Sequence, residues 1–137
     1  MGKRRAAREF ALQILYQVDL VKVDADKALD TFWSERKPSK EIKDFTNTLV
    51  RGVGQNLKML DDQIGNVAEK WDISRMSTVD RNILRFGSFE IFFLSDVPVS
   101  VTINEAVEIA KKYSTIEAAK FINGILDKIA KLATGKK

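Results

Sequence analysis

Ser77-Thr78-Val79-Asp80-Arg81-Asn82-Ile83-Leu84-Arg85-Phe86-Gly87-Ser88-Phe89-Glu90-Ile91-Phe92-Phe93-Leu94 is the stretch whose reading decides the fold. Ser77 can cap a helix running to about residue 94, because a serine side chain accepts a hydrogen bond from a first-turn amide. In the second half of that helix Phe86, Phe89, Ile91, Phe92, Phe93 and Leu94 leave nearly every side apolar. A helix without a polar face is stable only when other elements surround it. The stretch therefore predicts a central helix, with its aromatic cluster in a core, and the rest of the chain has to supply the cover.

The flanking sequence supplies helices. After Pro98, a helix from about residue 100 turns Ile103, Ala106, Val107 and Ala110 inward, and Thr102-Ile103-Asn104-Glu105 at its start has the Ser/Thr-x-x-Glu capping pattern. The pattern recurs in Ser114-Thr115-Ile116-Glu117, opening a last helix with the stripe Ala118, Phe121, Ile122, Ile125, Leu126, Ile129, Leu132 and ending before Gly135. On the amino-terminal side, beyond an Asp72–Met76 connection, Ser39 can cap one long helix over about 39–70. Its apolar residues are Ile42, Phe45, Leu49, Val53, Leu57, Leu60, Ile64, Val67, Ala68 and Trp71. Gly52 and Gly54 weaken that helix by about 1 kcal/mol each relative to alanine, which is expected where another helix crosses closely rather than at a kink. A short helix after Asp24 turns Leu29, Phe32 and Trp33 inward and stops before Pro38. The first helix, about 4–21, buries Ala7, Ala11, Ile14, Leu15 and Val18, with Arg4, Arg5, Arg8, Glu9 and Gln13 mostly on its other faces. Short connections make sequential helices near-antiparallel neighbours. The expected fold is all-α, a compact single-domain bundle of six to seven helices.

Composition removes most chemistry. The 137 residues contain no cysteine and no histidine, so disulfides, Cys/His zinc sites, cysteine nucleophiles and Ser-His-Asp triads are excluded. Asp61-Asp62, Asp24 with Asp26, and Glu105 with Glu108 lack a third ligand and read as solvated helix faces. Gly52-Val53-Gly54 lacks the further glycine and strand context of a dinucleotide loop. Lys111, Lys112, Lys120, Lys128 and Lys131 read as solubilising charge. No catalytic residue, metal or cofactor is expected. The longest wholly apolar run, Ile91 to Leu94, is far short of the roughly 20 residues of a membrane span, and the start of the chain does not resemble a secretion signal. The expected location is cytoplasmic, with no membrane partner.

The net charge is +4, equal to the four cations Lys3, Arg4, Arg5 and Arg8 of the amino-terminal arm, so the body of the protein is formally neutral. An excess confined to one arm favours a localised anionic partner, nucleic acid first; a solvated tail that only aids solubility is the bland alternative.

Several stretches together resemble one family. They are Arg4-Arg5-Ala6-Ala7-Arg8-Glu9 with Ala11-Leu12-Gln13 and Leu15-Tyr16; Leu49-Val50-Arg51-Gly52-Val53 with Asn56 and Leu60-Asp61; and Asp80-Arg81-Asn82-Ile83-Leu84-Arg85 with Glu90. Pro98, Ile103-Asn104-Glu105-Ala106-Val107-Glu108-Ile109-Ala110-Lys111 and Lys120-Phe121-Ile122-Asn123-Gly124-Ile125-Leu126-Asp127 complete them. In order and over nearly the whole chain they look like the N-utilisation substance B (NusB) antitermination factors. The last two stretches are the most specific.

The resemblance implies two packed helical subdomains, here about 1–70 and 71–134, the first holding the opening three helices. It also implies a non-enzymatic function: binding single-stranded boxA RNA of ribosomal RNA leaders together with small-subunit ribosomal protein ten (NusE). The RNA polymerase antitermination complex with other Nus factors then reads through terminators. On that basis Lys3, Arg4, Arg5 and Arg8 would contact phosphates and Tyr16 would stack on or hydrogen-bond to a base. The amino end of the last helix would place Glu117, Lys120 and Phe121 along the RNA, although Phe121 also lies on the apolar stripe. The surface around the start of the central helix nominates Arg75 and Asp80 for the protein partner. Ala6 and Ala7 interrupt a basic run that is denser in some relatives, so fewer phosphate contacts are expected. Some relatives self-associate, and a homodimer is compatible with the composition. The rival classes are a helical protein-protein scaffold or self-associating adaptor, which would leave the arm idle, and a duplex-DNA regulator with Arg81 and Arg85 in the groove, which the all-apolar helix behind them disfavours.

Overall fold

The chain is described here by a computed structural model covering residues 2–69 and 71–135. Among the described residues there are seven α-helices, one 3-10 turn and no strand. These are α1 (Gly2–Val21), α2 (Ala25–Ser34), α3 (Lys40–Gln55), α4 (Leu57–Ala68), the 3-10 turn Ile73–Arg75, α5 (Thr78–Phe93), α6 (Val99–Tyr113) and α7 (Ile116–Gly135). The contacts divide the chain between Gln55 and Asn56.

In the unit ending at Gln55, α1 packs mainly on α3 and also on α2. Asp24 caps α2 as its composition requires, its Oδ2 accepting from the Lys27 amide at 3.2 Å. Ser39 Oγ accepts from the Ile42 amide at 3.3 Å in front of α3. Phe10, Phe32 and Trp33 pack edge-on with ring centroids 4.9–5.9 Å apart, and the Trp33 indole donates to Asn47 Oδ1 at 2.8 Å.

In the unit beginning at Asn56, α5 is the element that α4, α6 and α7 cover. Every residue from Asn82 to Glu90 is buried, polar Asn82, Arg85, Ser88 and Glu90 included; the expectation that the whole aromatic cluster lies in the core is corrected, since Phe86 and Phe89 are buried but Ile91, Phe92 and Leu94 are half-buried and Phe93 is 47% exposed where the helix runs out of covering elements. Ser77 caps it, its Oγ accepting from the Asp80 amide at 3.0 Å. Gly87 lets α7 approach, because a Cβ there would stand 3.0 Å from Leu126 Cδ1. Two polar clamps sit in this core. The Arg85 guanidinium donates to both oxygens of Asp61 at 2.8 and 2.9 Å and to Asn82 Oδ1 at 3.1 Å, and Thr102 Oγ1 donates to Glu90 Oε1 at 2.8 Å. Buried polar groups need such partners to offset lost hydration.

Four sequence expectations are corrected. The long helix over 39–70 is two helices, interrupted at Asn56 (φ −121°, ψ 22°), two residues beyond Gly54. A Cβ at Gly54 would meet Ala25 at an ordinary 3.8 Å, so close crossing does not account for that glycine. The contacts divide the chain at this break. Thr102 does not cap α6; Pro98 occupies the cap position and Thr102 lies inside the helix, facing Glu90. At α7 the capping side chain is Thr115 rather than Ser114, its Oγ1 accepting from the Ala118 amide at 2.9 Å.

Candidate nucleic-acid interface

The arm is the opening of α1, helical from Gly2 onward. Its four cations are not equivalent. Lys3 is exposed and paired with Glu41 of α3 at 3.6 Å, a surface contact worth about 0–1 kcal/mol. Arg4 is exposed, its guanidinium 4.5 Å from the centre of the Phe45 ring, and Arg5 is half-buried. Arg8 is buried, with 2% of its surface accessible and its guanidinium 5.2 Å from the same Phe45 ring. The expectation that Arg8 contacts phosphate is therefore corrected. Arg8, Leu12 and Leu15 stand at i, i+4 and i+7, one row of the face that packs into the core, and Leu12 and Leu15 are buried too. Leu12 was the missing member of the apolar stripe, and including it moves Arg8 from the rim of that stripe to its middle.

Tyr16 is exposed at 41%. Eleven residues separate it from Arg5, close to three helical turns, so the two share a face about 16 Å apart along the axis. Glu9, Gln13 and Leu20 lie on the same side, and Leu20 is 53% exposed. Unit one thus offers cations at one end of an exposed face and an aromatic ring further along it.

In the other unit Glu117, Lys120 and Phe121 occupy the first two turns of α7, with Glu117 and Lys120 exposed and Phe121 half-buried. Phe121 is therefore not a core residue, although Ile122 beside it is. Its ring meets Trp71 edge-on at 5.7 Å, and Trp71 is 55% exposed. The sequence placed Trp71 on the inward stripe. The helix ends at Ala68, Glu69 takes a left-handed conformation (φ 56°), and the register that pointed Trp71 inward is lost. An exposed tryptophan against a phenylalanine is a stacking surface that sequence reasoning missed because it assumed an unbroken helix.

Arg75 closes the 3-10 turn and is exposed, whereas Asp80, in the first turn of α5, is partly covered and its Oδ1 has no hydrogen-bond partner among the described residues. The backbone amide of Ser74 donates to Asp72 at 3.0 Å, which holds that carboxyl below the usual range and fixes the turn carrying Arg75. Of the carboxylates read as solvated, Asp62 is exposed and paired with Lys58 at 2.9 Å, while Asp61 is committed to Arg85. Arg85 is buried and Asp61 partly covered, so the DNA-reading role weighed for Arg85 is not available. Among the described residues no cluster of three or more acidic side chains is placed to hold a metal ion, and no helix is long and apolar enough to cross a membrane.

Fold and surface together define an all-helical protein whose candidate interface is made of cations and aromatic rings. The NusB family model matches residues 5–131. The transcription antitermination protein NusB of Thermodesulfovibrio yellowstonii is 46% identical, over 94% of this chain and 92% of that protein. The solved structure of T. maritima NusB superposes with a TM-score of 0.85 at 42% identity, covering 93% of this chain and 90% of that one. A crystal structure of the antitermination factors NusB and NusE in complex with dsRNA superposes with a TM-score of 0.87 at 28% identity, covering 96% and 98%. The chain belongs to the NusB family.

Proposed function

We propose that this chain is a non-enzymatic, cytoplasmic transcription antitermination factor that binds boxA RNA of ribosomal RNA leaders together with NusE, as one RNA-binding domain over residues 1–137. The partnership with NusE and RNA is carried over from the NusB–NusE complex. The observation that carries the assignment to this chain's own residues is the pairing of cations with rings at the surface of each unit: exposed Lys3 and Arg4 and half-buried Arg5 with exposed Tyr16, and exposed Lys120 with half-buried Phe121 and exposed Trp71. Cations hold phosphates without regard to sequence, and rings take unstacked bases, which is the arrangement suited to unpaired RNA. Glu117 beside Lys120 supplies an acceptor for base amino groups. Arg75 and Asp80 are assigned to NusE, with the exposed Arg75 as the reachable charge of the two. The bound complex then acts on RNA polymerase with the other Nus factors.

The test is fluorescence anisotropy of labelled boxA-type single-stranded RNA against a scrambled RNA of equal composition, with and without NusE. Preference for boxA that sharpens with NusE is expected, and by linkage RNA must tighten NusE binding by the same factor. Equal weak binding to both RNAs, insensitive to NusE, would leave the arm as nonspecific charge and favour the scaffold class.

A further inference from the structure

The unit ending at Gln55 contains a groove of about 430 Å³ between α1 and α2 that the interface above does not use. Its floor is apolar, formed by Ile14, Ala28 and Phe32. Its rim is polar: the amides of Gln13 and Gln17 stand one turn apart on α1, and Lys27, Thr31 and Arg36 are exposed on α2. The Arg36 guanidinium lies 3.8 Å over the Phe32 ring and donates to the Phe32 carbonyl at 3.2 Å. It is thus held flat, with its outer face open.

We propose that this groove is a subsite for one unpaired nucleotide of the same RNA, outside the segment held by the arm. Size and lining both fit, since ligand sites of a few hundred Å³ combine an apolar floor with a few placed polar groups. A fixed guanidinium plane is a platform on which unpaired bases stack, and glutamine amides carry both donors and an acceptor for a base edge. Lys27 supplies a cation for the phosphate, outweighing Glu35 on the same rim when joined with Arg36. Continuity selects RNA over other occupants. Gln13 lies on the α1 face shared by Arg5 and Tyr16, about 12 Å along the axis from Arg5, so a strand following that face arrives at the groove. The inference rests on the RNA-binding function proposed above.

The experiment compares a boxA-type RNA with versions extended by about three nucleotides at the 5′ or the 3′ end, using the full chain, Thr31→Trp, and Gln17→Ala, each checked for folding by circular dichroism. Thr31 is exposed on the groove wall, so tryptophan fills the groove without entering the core. One of the two extensions should tighten binding about tenfold in the natural chain, the scale of one base-stacking contact. Both variants should lose that increment while binding the unextended RNA normally. The subsite is overturned if neither extension tightens binding, or if the variants keep the increment. It is also overturned if Thr31→Trp weakens NusE association with the RNA increment intact, which would assign the groove to a protein segment. Failure of the natural chain to bind even the unextended RNA would instead defeat the underlying function, a result separable from the others.

Discussion

Arg8→Ala should destabilise the protein and leave RNA contacts intact, the reverse of what the charge of the arm suggests. Arg8 is 2% exposed and lies against Phe45. Truncation to alanine removes two buried methylenes, about 0.8 kcal/mol each, and a guanidinium–ring contact worth about 1 kcal/mol, for a loss of about 2.5 kcal/mol. At about 2.1 cal/mol/K per residue, the 137-residue chain melts with an entropy of about 0.29 kcal/mol/K, so Tm falls by about 9 °C. Arg4→Ala, at an exposed side chain over the same ring, should shift Tm by no more than about 3 °C yet weaken RNA binding. Thermal denaturation followed by circular dichroism at 222 nm, with anisotropy titrations well below Tm, measures both. A Tm for Arg8→Ala within about 2 °C of the natural chain, together with weakened RNA binding, would refute the reasoning, because it would mean that the guanidinium is displayed rather than packed.

With Arg8 withdrawn, three arm cations remain, and at about 0.7 per single-strand phosphate contact their share of the slope of log affinity against log salt is about −2; titrations of the natural chain and of Lys3→Ala/Arg4→Ala/Arg5→Ala between low and moderate salt give the difference. Trp71→Ala should weaken RNA binding about tenfold through loss of a stacking surface while lowering Tm by less than about 4 °C, since the ring is more than half exposed. Arg85→Ala leaves Asp61 without its bidentate partner in a largely buried setting and should cost about 3–5 kcal/mol, read from the urea midpoint. Thr102→Val removes the hydroxyl that donates to buried Glu90 and should cost about 1.5–3 kcal/mol in the same assay.

What was legible in the sequence was what local patterns determine alone. The central place of the 77–94 helix was legible, since Asn82 to Glu90 is buried throughout, although its apolar end is not, with Phe93 47% exposed. Asp24, Ser39 and Ser77 cap the helices they precede, because each cap needs only its own side chain and an amide three residues on. What was not legible depended on where a helix stops. Asn56 carries no side-chain cap and no proline signals the interruption, so the apolar repeat ran on through it, and nothing in the sequence marks Glu69, whose φ of 56° ends α4 and turns Trp71 out of the repeat. Thr102 shows the same limit from the other side: it satisfies the capping pattern, yet Pro98 begins the helix first, and a buried carboxylate on α5 offered the hydroxyl a different partner.

Three arginines nominated for nucleic acid divide by burial, not by charge. Arg8 and Arg85 are buried, and Arg4 is exposed, although Arg4 and Arg8 lie one turn apart and share the same ring. A long side chain at the edge of an apolar stripe can pack its stem on the core and keep only its head in water, and where the neighbouring row is Leu12 and Leu15 the whole side chain is enclosed. Counting positive residues therefore overstates the charge an arm presents. The positive charge that α1 presents to solvent rests on Lys3, Arg4 and Arg5, while Arg8 packs against Phe45 of α3 and contributes to the stability of the unit rather than to that surface.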